Sequence, residues 1–170
     1  MIFAALGGLA ATAAYLWLMR EALRTRMRKR LGLSFVVIRI SWGFLVLGLL
    51  TGLAILLGAP LPNGMTLFGF LIVVGWLLTF LMGILQRIMP FLASMHAVGK
   101  GGKPVLLSEL TAQLPLNIHA GFHLGALALC SAGIVADAPI LISLGAGCGL
   151  AGAISFAVFA ALVVIRLWRR

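Results

Sequence analysis

The chain has 170 residues, of which 63% are hydrophobic and 9% charged, against roughly 25% charged in an ordinary soluble domain. So few polar groups cannot cover a water-facing surface, which excludes a soluble globular class and calls for lipid as the main solvent. The net charge is +10, from 13 Lys and Arg against Glu21, Glu109 and Asp137. The basic residues fall beside apolar runs, the pattern of membrane orientation rather than of nucleic-acid binding.

A crossing helix needs about 20 mostly apolar residues. Five such stretches are present, at about 2–19, 34–57, 66–95, 116–135 and 140–165. The expected fold is therefore all-α: a single polytopic membrane helical bundle of about five transmembrane helices. The first span has no positively charged leader and is followed by a basic cluster, the reverse of a cleaved signal peptide, so it reads as a retained helix. Tyr15 and Trp17 near its end suit the headgroup layer. The cluster Arg20, Arg24, Arg26, Arg28, Lys29 and Arg30 reads as a topology anchor, which is also compatible with anionic lipid.

The second span carries Arg39 and Trp42 near its start, and APLPNGM after it is a short turn. The third span is long for one crossing, so it should tilt or project, and Pro90 should kink it near its end. The glycine- and lysine-rich AVGKGGKP follows. A short interfacial helix is expected over 105–114, with Leu107, Leu110 and Leu114 on one face and a stop at Pro115. ADAP makes the last turn, and RLWRR closes the fifth span as an aromatic and basic anchor.

All basic loops fall on one side of such a bundle. Positive-inside then puts the N-terminus outside and the C-terminus in the cytoplasm, with His96, His119 and His123 toward the cytoplasmic face. Three GxxxG pairs, Gly48/Gly52, Gly121/Gly125 and Gly145/Gly149, mark where helices can approach closely. The dense glycines of the fifth span predict protein on more than one of its sides.

Candidate chemistry is confined to a few side chains. His119 and His123 are spaced i, i+4 and share a helical face. With His96 at the end of the neighbouring helix, three imidazoles at one depth would make a copper- or zinc-like metal site. Two histidines on one helix bind a metal from one side only. A haem with two axial imidazoles would need His96 opposite His119 or His123, or a ligand from another chain. His119 reads as the shallowest of the three, and hydrogen bonding to headgroups, water or a carbonyl is the plainer role for it. Arg87, inside the third span, either snorkels or holds a haem propionate or lipid phosphate, with Gln86 beside it in the same polar pocket. Cys130, Cys148, Met82, Met89 and Met95 read as packing residues. No catalytic set, phosphate loop or haem-attachment motif is visible, so no catalytic residues are assigned and a self-contained enzyme is not expected.

The string GILQRIMPFLASMHAVGKGGKP resembles the late helices of small membrane proteins related to haem-copper oxidase subunit I. There a glycine and a basic turn lead to Pro-Phe-Leu-x-x-x-His, a glycine- and lysine-rich loop and a proline. Here these are Gly83, Arg87, Pro90, Phe91, Leu92, His96, Gly99, Lys100, Gly102, Lys103 and Pro104. The match is best over 83–104 and loose over about 68–135. It implies a helical bundle whose histidines face a haem or copper site. The relatives carry more helices, so this chain is either a fragment-sized member or one subunit of a larger complex.

The resulting expectation is an accessory protein of a bacterial inner membrane that binds haem or copper through His96 with His123, Arg87 assisting. The alternative is a structural or assembly subunit with no cofactor. A transporter is least favoured, because no buried acid pair is present. Expected partners are the bilayer with its anionic lipids and other membrane subunits or a second copy, not nucleic acid.

Overall fold

A computed structural model describes residues 2–24, 32–99 and 110–168, and every element among them is helical. Helix α1 covers Ile2–Arg24 and α2 covers Leu33–Leu56. The third rod is continuous but has three parts: α3 (Gly64–Phe70), a π-helical segment (Leu71–Leu78) and α4 (Thr79–Gly99). Helix α5 covers Gln113–Val135 and α6 covers Pro139–Trp168. Five helical stretches are long and apolar enough to cross a bilayer, namely Phe3–Glu21, Leu33–Leu56, Gly64–His96, Gln113–Val135 and Pro139–Trp168. A helix suits that solvent because it satisfies its backbone polar groups within itself.

Packing runs in sequence: α1 lies on α2, α2 lies along the whole third rod, and α5 pairs closely with α6. Helix α6 also touches α4, and α5 touches α3. Glycines set the close approaches. A Cβ at Gly48 would lie 2.7 Å from Ile72 Cδ1, and one at Gly52 2.9 Å from the Phe68 ring, so this pair seats the third rod on α2. Gly145 does the same for α6 on α5. A Cβ at Gly121 or Gly125 would meet nothing within 4 Å, so that pair faces outward. Gly147 is equally open, so the glycines of the fifth span serve the face on α5, while α4 touches that helix as well.

The helix ends follow local chemistry. After α2, Gly58 takes φ +80, and the amides of Gly58 and Ala59 return to the carbonyls of Ile55 and Ala54, each at 3.0 Å. This is the glycine-dependent Schellman closure. At the end of α5 the left-handed position is taken by Asp137 (φ 50), and Ala138 N donates to Gly133 O at 2.9 Å. Asn63 is also left-handed (φ 50), and its side-chain amide donates to Ile134 O at 3.2 Å and Asp137 Oδ1 at 3.3 Å. The two turns at this end are thus tied together. Asn63→Ala should cost about 2 kcal/mol, from lost hydrogen bonds and a Cβ that lacks Asn's tolerance of the left-handed region. Asn63→Gly, which relieves the backbone term, should cost about half of that in a detergent unfolding titration.

The expected interfacial helix lies mostly outside the described residues, and so do Leu107, Lys100 and Lys103. Of the remainder, Leu110 is buried and Leu114 is exposed. Pro115 does not stop a helix but sits in the first turn of α5, where its missing N–H has no intrahelical acceptor to lose. Its carbonyl accepts from Ser155 Oγ at 2.8 Å, binding the start of α5 to α6. Leu110, Ala112 and Leu116 pack with Ala93 of α4 and with Phe159 and Val163 of α6.

Candidate functional site

A polar stripe runs up the inner face of the bundle where α4 meets α5 and α6. It begins with the π segment. A π turn offsets the hydrogen-bond ladder by one residue, and such segments often mark functional positions. Here Thr79, fully buried, follows the segment, and its hydroxyl donates to Val74 O five residues back at 3.0 Å. The same oxygen lies 2.8 Å from His123 Nε2. A hydroxyl has one proton, and a carbonyl can only accept, so His123 must donate through Nε2–H for both bonds to stand.

His119 is more deeply buried than His123, at 2% against 9% exposed. Its Nδ1 lies 3.0 Å from Gly152 O. A carbonyl acceptor requires Nδ1–H, so the neutral ring carries its lone pair on Nε2. That Nε2 is buried and has no hydrogen-bond partner. Gly152 makes the contact feasible: a Cβ there would stand 3.3 Å from His123 N and 3.5 Å from His119 O, so the missing side chain brings the α6 backbone against α5. The two imidazoles stack at 5.4 Å between centroids, and Phe156 closes over His119 at 5.0 Å.

Gln86 completes the stripe. It is 4% exposed, and neither its Oε1 nor its Nε2 has a partner. Thr79 touches His123, and Ala93 packs with Leu116 and Phe159. Gln86 lies seven residues from each, two helical turns, so it faces the same neighbours at a level between them. Pro90 adds to the polarity, because it has no N–H to give the Gln86 carbonyl four residues back. Unpaired buried polar atoms cost about 1–3 kcal/mol each, and this stripe carries three of them, His119 Nε2 and both side-chain polar atoms of Gln86.

The structure brings together two of the three predicted ligands. His96 is exposed and stands apart. Seventeen residues separate it from Thr79, about 25 Å of helix at 1.5 Å per residue. Among the described residues no three His, Cys, Asp or Glu side chains group as a metal site. The physical reason is an overhang. Helix α4 runs 20 residues past its contact with His123, whereas α5 begins only 10 residues before it, so sharing a connection does not put His96 at the depth of His119. His119 differs from expectation in the opposite sense: α6 buries it. Arg87 is exposed and turned away from the stripe, with its guanidinium 4.7 Å above the Phe35 ring. Sequence patterns alone did not point to Thr79 or Gly152. The heptad spacing of Thr79, Gln86 and Ala93 within an apolar run was the available signal for the first.

Thr79→Val should leave His123 Nε2–H unpaired and lower stability by about 1–2 kcal/mol. Thr79→Ser should restore most of it, as read from detergent unfolding midpoints. No known protein family matches the chain, and no curated protein or solved structure matches it either.

Proposed function

We propose that this is an integral protein of a bacterial inner membrane, N-terminus outside and C-terminus cytoplasmic, that holds a metal centre inside the bundle. The group would be copper or haem iron, and His119 would hold it through Nε2. The observation that carries this reading is His119: one ring nitrogen is fixed on a backbone carbonyl, and the other is a bare, buried lone pair. That is how protein imidazoles are set for metal ligation, with the second nitrogen fixing tautomer and ring orientation. Imidazole suits copper and iron, which the resemblance to haem-copper oxidase-like proteins also favours. His123 becomes a second ligand through Nε2 only by releasing Thr79, and Gln86 offers a further oxygen. The arrangement does not support the His96–His123 pair as two ligands of one group. Nor do two stacked rings on one helix serve as opposite axial ligands of one haem.

Metal analysis and absorbance of protein purified from copper- and haem-replete cells test this directly. About one copper per chain, or a Soret band, is expected. A colourless, metal-free preparation sinks the proposal.

A second reading, a structural or assembly subunit without a cofactor, is favoured by a different observation. The apolar window of α1 has no buried residue, and Gly121 and Gly125 open onto empty space. Co-purifying membrane subunits, together with survival of that complex on replacing all three histidines, would favour it.

A further inference from the structure

We propose that Arg39 and Arg87 form a binding site for the phosphate of an anionic membrane lipid, seated on the outer seam between α2 and α4. The seam is held tight by Gly83, where a Cβ would lie 2.7 Å from Ile38 Cγ1 and 3.3 Å from both Ile38 N and Ser34 O. Arg87, one turn after Gly83, therefore emerges over the first turns of α2. Its guanidinium lies 4.7 Å from the Phe35 ring centroid, a cation–π contact that fixes its plane. Arg39 is four residues after Phe35, on the same face of α2. Side chains on a helix lean toward its N-terminus, which carries Arg39 toward Phe35 and the nearer end of the bundle. Arg87 on the Phe35 ring and Arg39 one turn along the same helix as Phe35 thus present two exposed guanidinium groups at this end of the seam.

Among the described residues no carboxylate neutralises either cation: Glu21 lies 3.4 Å from Arg24, and Asp137 lies with Asn63 at the opposite end. The level of the seam is right for a headgroup. Phe35 sits in the first turn of α2, so Arg87, which looks deep when counted along its own long helix, is level with the start of its neighbour. Planar guanidinium pairs bind phosphate oxygens in bidentate fashion, and lysine lacks that fork.

The test is lipid retention by the full chain. Protein is reconstituted in phosphatidylcholine nanodiscs containing a minority of phosphatidylglycerol, extracted into mild detergent, and its bound lipids are counted by native mass spectrometry. The parent should keep about one phosphatidylglycerol preferentially. Arg39→Gln/Arg87→Gln should lower that retention by about tenfold or more. Arg20→Gln/Arg24→Gln, which removes the same charge from exposed positions on α1, should lower it by less than twofold. If the glutamine pair does not fold, Arg39→Lys/Arg87→Lys and Phe35→Leu replace it, and each should still lose severalfold because the fork or its ring support is gone. Inorganic phosphate at millimolar concentration should not displace the lipid. Equal retention of phosphatidylcholine, equal losses in the two glutamine pairs, or displacement by inorganic phosphate would each overturn the proposal.

Discussion

Protein carrying His119→Ala should retain at least about tenfold less copper or haem than the parent, while His96→Ala should retain as much as the parent. The contrast follows from what each imidazole is doing. His119 already has its Nδ1–H committed to Gly152 O and its Nε2 unpaired inside the bundle. Removing the ring deletes the proposed ligand atom, the unpaired and oriented Nε2. His96 is exposed, about 25 Å of helix away from the level of His123. His123→Ala should fall between the two, because its Nε2 is engaged by Thr79 before any metal arrives. Gln86→Leu offers a finer reading. If Gln86 serves the occupant, metal is lost; if it is only an orphaned amide in an apolar setting, stability rises with metal unchanged, since removing an unpaired buried polar group relieves its desolvation cost. Loss from His96→Ala, with His119→Ala unaffected, would refute the assignment.

The bundle was legible because hydropathy reports the solvent of a helix directly. The second, fourth and fifth spans start or end within a few residues of α2, α5 and α6, and the excess length of the third span is real. What was not legible depends on how rods slide past one another. The sequence places His96, His119 and His123 near one connection, but the 79-to-123 contact fixes the register, and that register leaves the end of α4 overhanging. Burial of His119 depends on Gly152 of α6, a partner 33 residues away that no local pattern identifies. The GxxxG pairs show the same limit. All three have the spacing for close packing, but only Gly48/Gly52 and Gly145/Gly149 meet another helix. Spacing prepares a face, and the geometry of the neighbours decides whether it is used.

Gly145→Leu should be the most disruptive change among the α6 glycines, and a graded series across them checks why. Without a strong hydrophobic force between helices in lipid, their association rests on van der Waals contact. A Cβ at Gly145 would fall 2.5 Å from Cys130 Sγ, 3.0 Å from Cys130 N and 3.2 Å from Ala126 O. Two of these are backbone atoms and cannot rotate away, so α6 must move outward as a body. Overpacking of this kind typically costs about 1–3 kcal/mol, and the displacement also carries Gly152, two turns on, away from His119. Gly149→Leu should be milder, because its Cβ would meet only Ala126 Cβ at 3.7 Å. Gly147→Leu should be close to neutral, having nothing within 4 Å. Thermal melts in detergent should rank the losses in that order. Maleimide labelling should report the same opening, with partly buried Cys130 reacting faster in Gly145→Leu than in Gly147→Leu. Equal melting of those two variants would mean that the hairpin is not held at Gly145, and the carbonyl that fixes His119 would lose its structural basis.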